Sequence, residues 1–167
     1  MARKVFYSFH YVPDNWRAAQ VRNIWAVEWN KPASDNDREE VKKWWDESIQ
    51  KWIDDSLKWR SCTIVLIWEN TAWRKWINYE IKESRDNEKW IVWIYIHNLK
   101  NKDWEQANKG KNPFDSFTVW EKKEKLSSIV KAYNPPYTIS TNVYNYIKEN
   151  IEDWIEEAID IRENYWK

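Results

Sequence analysis

A glutamate in the first turns of a helix is the residue of this chain best placed to do chemistry. Ser61–Ile67 is a continuous apolar run rich in β-branched residues, which predicts a strand buried on both faces. After a polar turn, Ile77 and Ile81 stand four residues apart on either side of Glu80, which predicts a helix. Trp76 precedes Glu80 by one helical turn, on the same side. The Glu80 carboxylate is therefore expected near the carboxyl end of the strand, the edge at which open α/β sheets bind ligands.

Another apolar run extends from Val5 to His10, and its last three residues are placed to line a pocket with the Glu80 carboxylate. Ser8, Phe9 and His10 would lie at the same edge of a parallel sheet, with His10 as a pocket wall or as a hydrogen-bond donor. Trp76 has two interpretations, a border of the bound ligand or a core side chain. The chain has two histidines and no acidic partners at ligand spacing, so the sequence predicts no metal site.

Strands and helices alternate along the chain, which indicates a mostly parallel sheet covered on both faces. We predict a flavodoxin-like, doubly wound α/β fold in which strands near residues 4–10, 61–67 and 90–96 are parallel and central. A weaker strand is expected near Trp25–Trp29. The predicted helices run from Asp14 to Arg22 with Asp14 or Asn15 as the N-cap, from Asp37 to Leu57 with a capping signature at Ser34, over part of 121–132, and along the stripe from Val143 to Ile159.

Composition sets the class of protein. The 167 residues suit one domain, 1–167, and the 27 basic and 27 acidic residues balance, so bulk charge gives no argument for nucleic acid. Cys62 is the one cysteine and lies inside a predicted buried strand, which favours a reducing, cytoplasmic compartment. No apolar run approaches the roughly 20 residues of a membrane span, and no signal peptide is recognised. A long polar loop over 97–117 is either functional or a surface excursion.

Several segments together resemble a known family. The run from Val5 to His10, followed by Asp14 and Arg17, resembles the first strand and helix of TIR domains. Trp76 with Glu80 four residues later resembles the TIR helix that carries the catalytic glutamate. The likeness covers about residues 4–117 as a core and, more loosely, the C-terminal helical extension 118–167. The segments closest in order and spacing to the TIR-like proteins of the bacterial Thoeris anti-phage system are Val65-Leu66-Ile67, Thr71, Arg74, Trp76, Tyr79-Glu80-Ile81, Ile94-Tyr95-Ile96 and Gly110 to Asp115.

This resemblance implies an enzyme that cleaves the bond between nicotinamide and ribose in NAD⁺ and makes a cyclic ADP-ribose-type signal. Glu80 would be catalytic, while Ser8, Phe9, His10 and Trp76 would bind the substrate. NAD⁺ would be a substrate rather than a cofactor, and no metal is implied. The partners implied are an effector protein that responds to the product, and other TIR modules through self-association. The alternative is a TIR-like interaction module without catalysis, favoured by bulky Trp68 and Trp73 beside the catalytic helix.

The chain departs from the family in its tryptophans. It has 16 Trp and one Gly, Gly110. The family carries Gly where this chain has Trp68, Trp73, Trp90, Trp93 and Trp104, and also at Trp25, Trp29, Trp44, Trp45, Trp59 and Trp120, while Arg38 and Arg85 stand where Trp is usual. We therefore expect Trp59, Trp68, Trp73 and Trp104 in turns or at helix ends, some with positive φ, and more exposed than Trp52, Trp76 and Trp154 on apolar helical faces.

Overall fold

Among the described residues, four parallel strands form one sheet in the order in which they occur in the sequence. The computed structural model describes residues 3–9, 11–24, 46–118 and 123–165. The strands are β1 (Val5–Ser8), β2 (Cys62–Ile67), β3 (Trp90–Tyr95) and β4 (Ala132–Tyr133). The first three coincide with the apolar runs of the sequence and are parallel, so the predicted α/β fold class is confirmed. Within this sheet β2 and β3 are central, and β1 lies beside β2.

In the part of the chain that the structure describes, four helices cover the two faces of the sheet. They are α1 (Tyr11–Arg22), α2 (Asp46–Lys58), α3 (Lys75–Asp86) and α4 (Ser140–Tyr165). Two single turns of 3-10 helix, Pro113–Ser116 and Leu126–Ser128, lie between β3 and β4. Side chains of α1 and α4 pack on one face of the sheet, and those of α2 and α3 pack on the other.

The alternation of side chains along each strand explains why both faces need cover. In β2, Ile64 and Leu66 join the core under α1 and α4, whereas Val65 and Ile67 face α3. All six residues of β2 are buried, as expected of a central parallel strand. The apolar stripe of α4 is buried over Val143, Ile147, Ile151, Trp154, Ile155, Ala158 and Ile159. Its acidic side is exposed at Glu149, Glu152 and Asp153.

The structure corrects one helix boundary and one predicted helix, and it leaves some predictions outside the described residues. Helix α1 begins at Tyr11, so neither Asp14 nor Asn15 is an N-cap; Pro13 is tolerated because the first turn of a helix needs no backbone donor there. The helix expected within 121–132 is wrong in the described part, where a 3-10 turn and β4 occur instead. The predicted strand near Trp25–Trp29, and the predicted helix up to residue 45 with its cap at Ser34, lie outside the described residues.

The tryptophans follow the prediction with one exception. Trp59, Trp73 and Trp104 are 73%, 69% and 79% exposed, whereas Trp154 is 6% exposed. Trp73 and Trp104 have φ of 70° and 64°, in the region that favours glycine. Trp68 is the exception, because it is half-buried and packs against the core beside α1. No helix in the described ranges is both long and apolar enough to cross a membrane.

Candidate functional site

The carboxylate of Glu80 is buried against the end of β1. Glu80 is 1% exposed, and one of its side-chain oxygens accepts a hydrogen bond from the hydroxyl of Ser8, the last residue of β1. Ser8 is fully buried. The structure therefore brings together two of the residues predicted from sequence, 72 positions apart, at the carboxyl edge of the sheet.

Helix α3 presents Glu80 from a buried stripe that carries two isoleucines and one further polar residue, Ser84. Its buried residues are Ile77, Glu80, Ile81 and Ser84, spaced so that one stripe of the helix faces the sheet. Ile77 and Ile81 pack with Val65 of β2. The two isoleucines anchor the helix by burying apolar surface, and Glu80 lies between them in the sequence on the same stripe. A buried carboxylate on such a stripe is costly unless polar groups meet it, which Ser8 does.

Two further hydroxyls, those of Ser84 and Thr63, lie behind Glu80, and the sequence did not predict either of them. Ser84 donates a hydrogen bond to the backbone carbonyl oxygen of Glu80 at 2.6 Å. Thr63 of β2 lies with its Oγ1 2.7 Å from the Ser84 Oγ. Thr63 and Ser84 are both fully buried. Their signal in the sequence is a hydroxyl residue within an apolar strand and another on the apolar stripe of a helix.

The other predicted site residues are placed as follows. Trp76 is half-buried and packs beside Phe6 and α2, with its ring edge-on to Tyr79 at 6.0 Å between centroids. Phe9 is 4% exposed and packs on the other face of the sheet, in the core beside α1 and α4. The Phe9 side chain thus does not join Ser8 and Glu80. His10 lies outside the described residues.

His97 follows β3 at the same edge of the sheet. It is 8% exposed, and its Nδ1 is buried without a hydrogen-bond partner in the described part of the chain. Burial lowers the pKa of His97, and the positive charges of Lys109 and Arg17 lower it further. The ring meets that of Tyr95 edge-on at 5.9 Å. The neutral imidazole is therefore the favoured form near neutral pH.

The polar loop after β3 is anchored to α1. Arg17 is 2% exposed, and its guanidinium donates to the carbonyl oxygens of Leu99 at 2.8 Å and Glu105 at 3.0 Å. Beside it lies a cleft with a volume of about 500 Å³, bordered by α1, by the loop after β2 and by the loop after β3. Its lining includes Trp16, Arg17, Trp68 and Glu69. The loop predicted over 97–117 thus borders the carboxyl edge of the sheet.

The chemistry available at Glu80 is that of a single buried carboxylate. Such a group can oppose positive charge that develops on a bound molecule or accept hydrogen bonds from hydroxyl groups. Among the residues that the structure describes, no three His, Cys, Asp or Glu side chains come together as metal ligands. Cys62 is buried in β2, and burial raises the pKa of its thiol, so it is not an activated nucleophile.

Comparisons with known proteins give two matches. A family model described as "Thoeris protein ThsB, TIR-like domain" matches residues 6–101, a segment that contains both Ser8 and Glu80. A protein of Bacillus cereus (strain MSX-D12), named "Putative cyclic ADP-D-ribose synthase ThsB1", is 37% identical over 120 residues. The match covers 69% of this chain and 62% of that protein, so the chain spans less than two thirds of the relative's length. The match to the family model over more than half of its residues shows that this chain belongs to the TIR-like family of Thoeris ThsB proteins.

Proposed function

We propose that this chain cleaves NAD⁺ at the bond between nicotinamide and ribose and forms a cyclic ADP-ribose-type product. The observation that carries the proposal is the buried carboxylate of Glu80, held by Ser8 at the carboxyl edge of the sheet. The 37% identical relative named as a cyclic ADP-D-ribose synthase supports the same reaction class. Glu80 is the catalytic residue of this proposal, with Trp76 and His10 as candidates for substrate contact.

The proposed reaction needs one carboxylate and no general acid. The bond from the nicotinamide nitrogen to ribose C1′ breaks, and both bonding electrons leave with nicotinamide, which changes from a cationic ring to a neutral one. Positive charge develops on the ribose as in glycoside hydrolysis, and the Glu80 carboxylate opposes it. A nitrogen or oxygen atom of the same ADP-ribose then bonds to C1′ through its lone pair, closes a ring and releases its proton to solvent. If water bonds instead, it releases a proton and the product is linear ADP-ribose.

The test is turnover of NAD⁺ by the purified chain and by Glu80→Gln, which keeps the shape of the side chain and removes its charge. We expect the wild type to release nicotinamide and a product one water lighter than ADP-ribose. Glu80→Gln should reduce nicotinamide release by roughly 100-fold or more. Glu83→Gln is the matched control, because Glu83 lies on the same helix, is half-buried and forms an ion pair with Lys82.

The outcomes separate the enzyme from its alternative. Full activity in Glu80→Gln would remove this residue from the mechanism. No nicotinamide release by the wild type would favour a TIR-like interaction module instead. One observation favours that second function: exposed Trp16, Trp104 and Ile139 line a groove of about 640 Å³ between α1, the loop after β3 and the start of α4.

The proposal extends to the setting of the reaction, and membership of the family supports it. NAD⁺ is the substrate, and the residues at the site require neither a metal nor a further cofactor for the step described. We place the reaction in the cytoplasm, as part of anti-phage defence. Its product would act on a separate effector protein, and TIR-like modules of this kind would self-associate. Incubating the product with a candidate effector, with NAD⁺ alone as the control, tests the first of these partners.

A further inference from the structure

Four buried polar side chains join α3 to two neighbouring strands within an otherwise apolar interface. Glu80 and Ser84 lie one turn apart on the buried stripe of α3, which is about 5–6 Å along the helix. Ser8 and Thr63 lie on the facing side of the sheet. Ser8 pairs with Val65, and Thr63 precedes Val65 by two residues, which is roughly 6.6 Å along a strand.

The two spacings match, so each polar group on the helix meets one on the sheet. Ser8 donates to the Glu80 side chain, and Thr63 lies 2.7 Å from Ser84. Ser84 in turn donates to the Glu80 carbonyl oxygen. Both ends of Glu80, its carboxylate and its backbone, are therefore tied to the sheet, the first directly through β1 and the second through Ser84 and β2.

The apolar contacts alone do not fix the position of α3 along its own axis. Ile77 and Ile81 are the same residue type at a spacing of one turn, so a shift of α3 along its axis by one turn exchanges one isoleucine for the other. A shift by one turn in either direction would leave the hydroxyl of Ser8 or that of Thr63 without a polar partner on α3, which is costly in an apolar interface. Hydrogen-bonded polar pairs fix register in this way when apolar contacts permit alternatives.

We propose that Thr63 and Ser84 are positioning residues that hold α3 at the axial position where the Glu80 carboxylate reaches the carboxyl edge of β1. They act through Glu80 and do not touch the substrate. The proposal rests on the proposed function, because it assigns the pair a purpose in placing the catalytic carboxylate. Displacement of a catalytic group by about 1 Å is enough to slow an enzyme roughly 100-fold.

The test is the double variant Thr63→Val with Ser84→Ala, which replaces both hydroxyls by apolar groups so that neither is left buried without a partner. We expect kcat for nicotinamide release to fall about 10- to 100-fold, with KM within about twofold, because substrate contacts remain. Thr63→Ser keeps the hydroxyl and should retain activity. Tyr133→Phe is the control for general loss of stability, because it removes a hydroxyl that donates to Glu157 at 2.6 Å from β4, two strands away from Thr63.

A crystal structure of the double variant gives a readout that does not depend on activity. We expect α3 to be displaced along its axis and the hydrogen bond between Ser8 and Glu80 to be broken. Wild-type kcat together with an undisplaced α3 would overturn the proposal. If the wild type releases no nicotinamide, the proposed function fails, and the crystal structure alone then decides: a displaced α3 supports the positioning role, and an undisplaced one overturns it.

Discussion

The backbone of Gly110 lies against the backbone carbonyl of Trp68, so closely that a Cβ on Gly110 would fall 1.8 Å from the Trp68 oxygen. This contact joins the loop after β3 to the loop that leads into α3. A hydrogen bond from Asn108 to the Glu69 carboxylate, 3.0 Å long, joins the same two loops. The one glycine of the chain therefore stands where two backbones meet and no side chain fits.

Gly110→Ala should destabilise the protein, because the added methyl group can be accommodated only if one of the two backbones moves. We expect the free energy of unfolding to fall by about 1–3 kcal/mol, measured by urea unfolding. Lys111→Ala, at the exposed neighbouring position, is the control and should change it little. An unchanged unfolding midpoint for Gly110→Ala would contradict the close approach.

Trp73→Gly and Trp104→Gly should each stabilise the protein. Both residues have positive φ and are exposed, so little packing is lost while backbone strain is removed. We expect a gain of about 1 kcal/mol for each, seen as a higher thermal midpoint. Trp59→Gly is the matched control, because Trp59 is equally exposed and its φ is not positive. It should bring no gain, and a gain as large as the others would remove backbone strain as the explanation.

Ser8 and Glu80 should be energetically coupled. Ser8→Ala removes a buried donor to the Glu80 carboxylate, and we expect the free energy of unfolding to fall by about 1–3 kcal/mol. In a Glu80→Gln background the same change should cost about 1 kcal/mol less, because the hydrogen bond no longer involves a charge. A double-mutant cycle by urea unfolding measures the difference. Equal losses of unfolding free energy in both backgrounds would mean that Ser8 and the Glu80 charge are not energetically coupled.

Stability should fall in alkaline solution, in part through Cys62. Burial raises the pKa of its thiol above the ordinary value of 9.0, an effect that Arg3 partly opposes. The unfolded chain therefore releases this proton first, so the stabilisation is complete below pH 9 and is lost as the pH rises above it. The free energy of unfolding should fall between pH 8 and pH 10. We expect this fall to be about 1.4 kcal/mol smaller in Cys62→Ala than in the wild type. The same difference in both proteins would exclude the thiol as the cause.

Strands β1, β2 and β3 and helix α3 could be predicted from sequence because their signals are local. Burial of β2 and β3 is predicted by their apolar runs alone. Burial of one side of α3 is predicted in the same way by the isoleucines on either side of Glu80. The start of α1 could not be predicted from cap preferences, because α1 begins almost directly after β1 with Pro13 in its first turn. Strand β4 was missed because its two residues are exposed or half-buried and form no apolar run.

The site was predictable only in part for a different reason. Glu80 and Ser8 each stand at a recognisable place in their own element, but their hydrogen bond depends on how α3 lies on the sheet. The pairing of Thr63 with Ser84 depends on the same relationship. No pattern within one segment contains that information. Phe9 shows the converse: it follows Ser8 in the sequence, and the alternation of the strand sends its side chain to the opposite face.

The shortness of β4 has a consequence for behaviour at high concentration. Beyond β4 the described sheet presents an outer row of backbone groups only two residues long. Pro135 and Pro136 follow almost at once, and a proline has no N–H to offer a further strand. A foreign chain that extends along β4 therefore finds too few partners to continue the ladder. On this side the fold therefore resists growth into fibrils, because β4 is short and two prolines follow it closely.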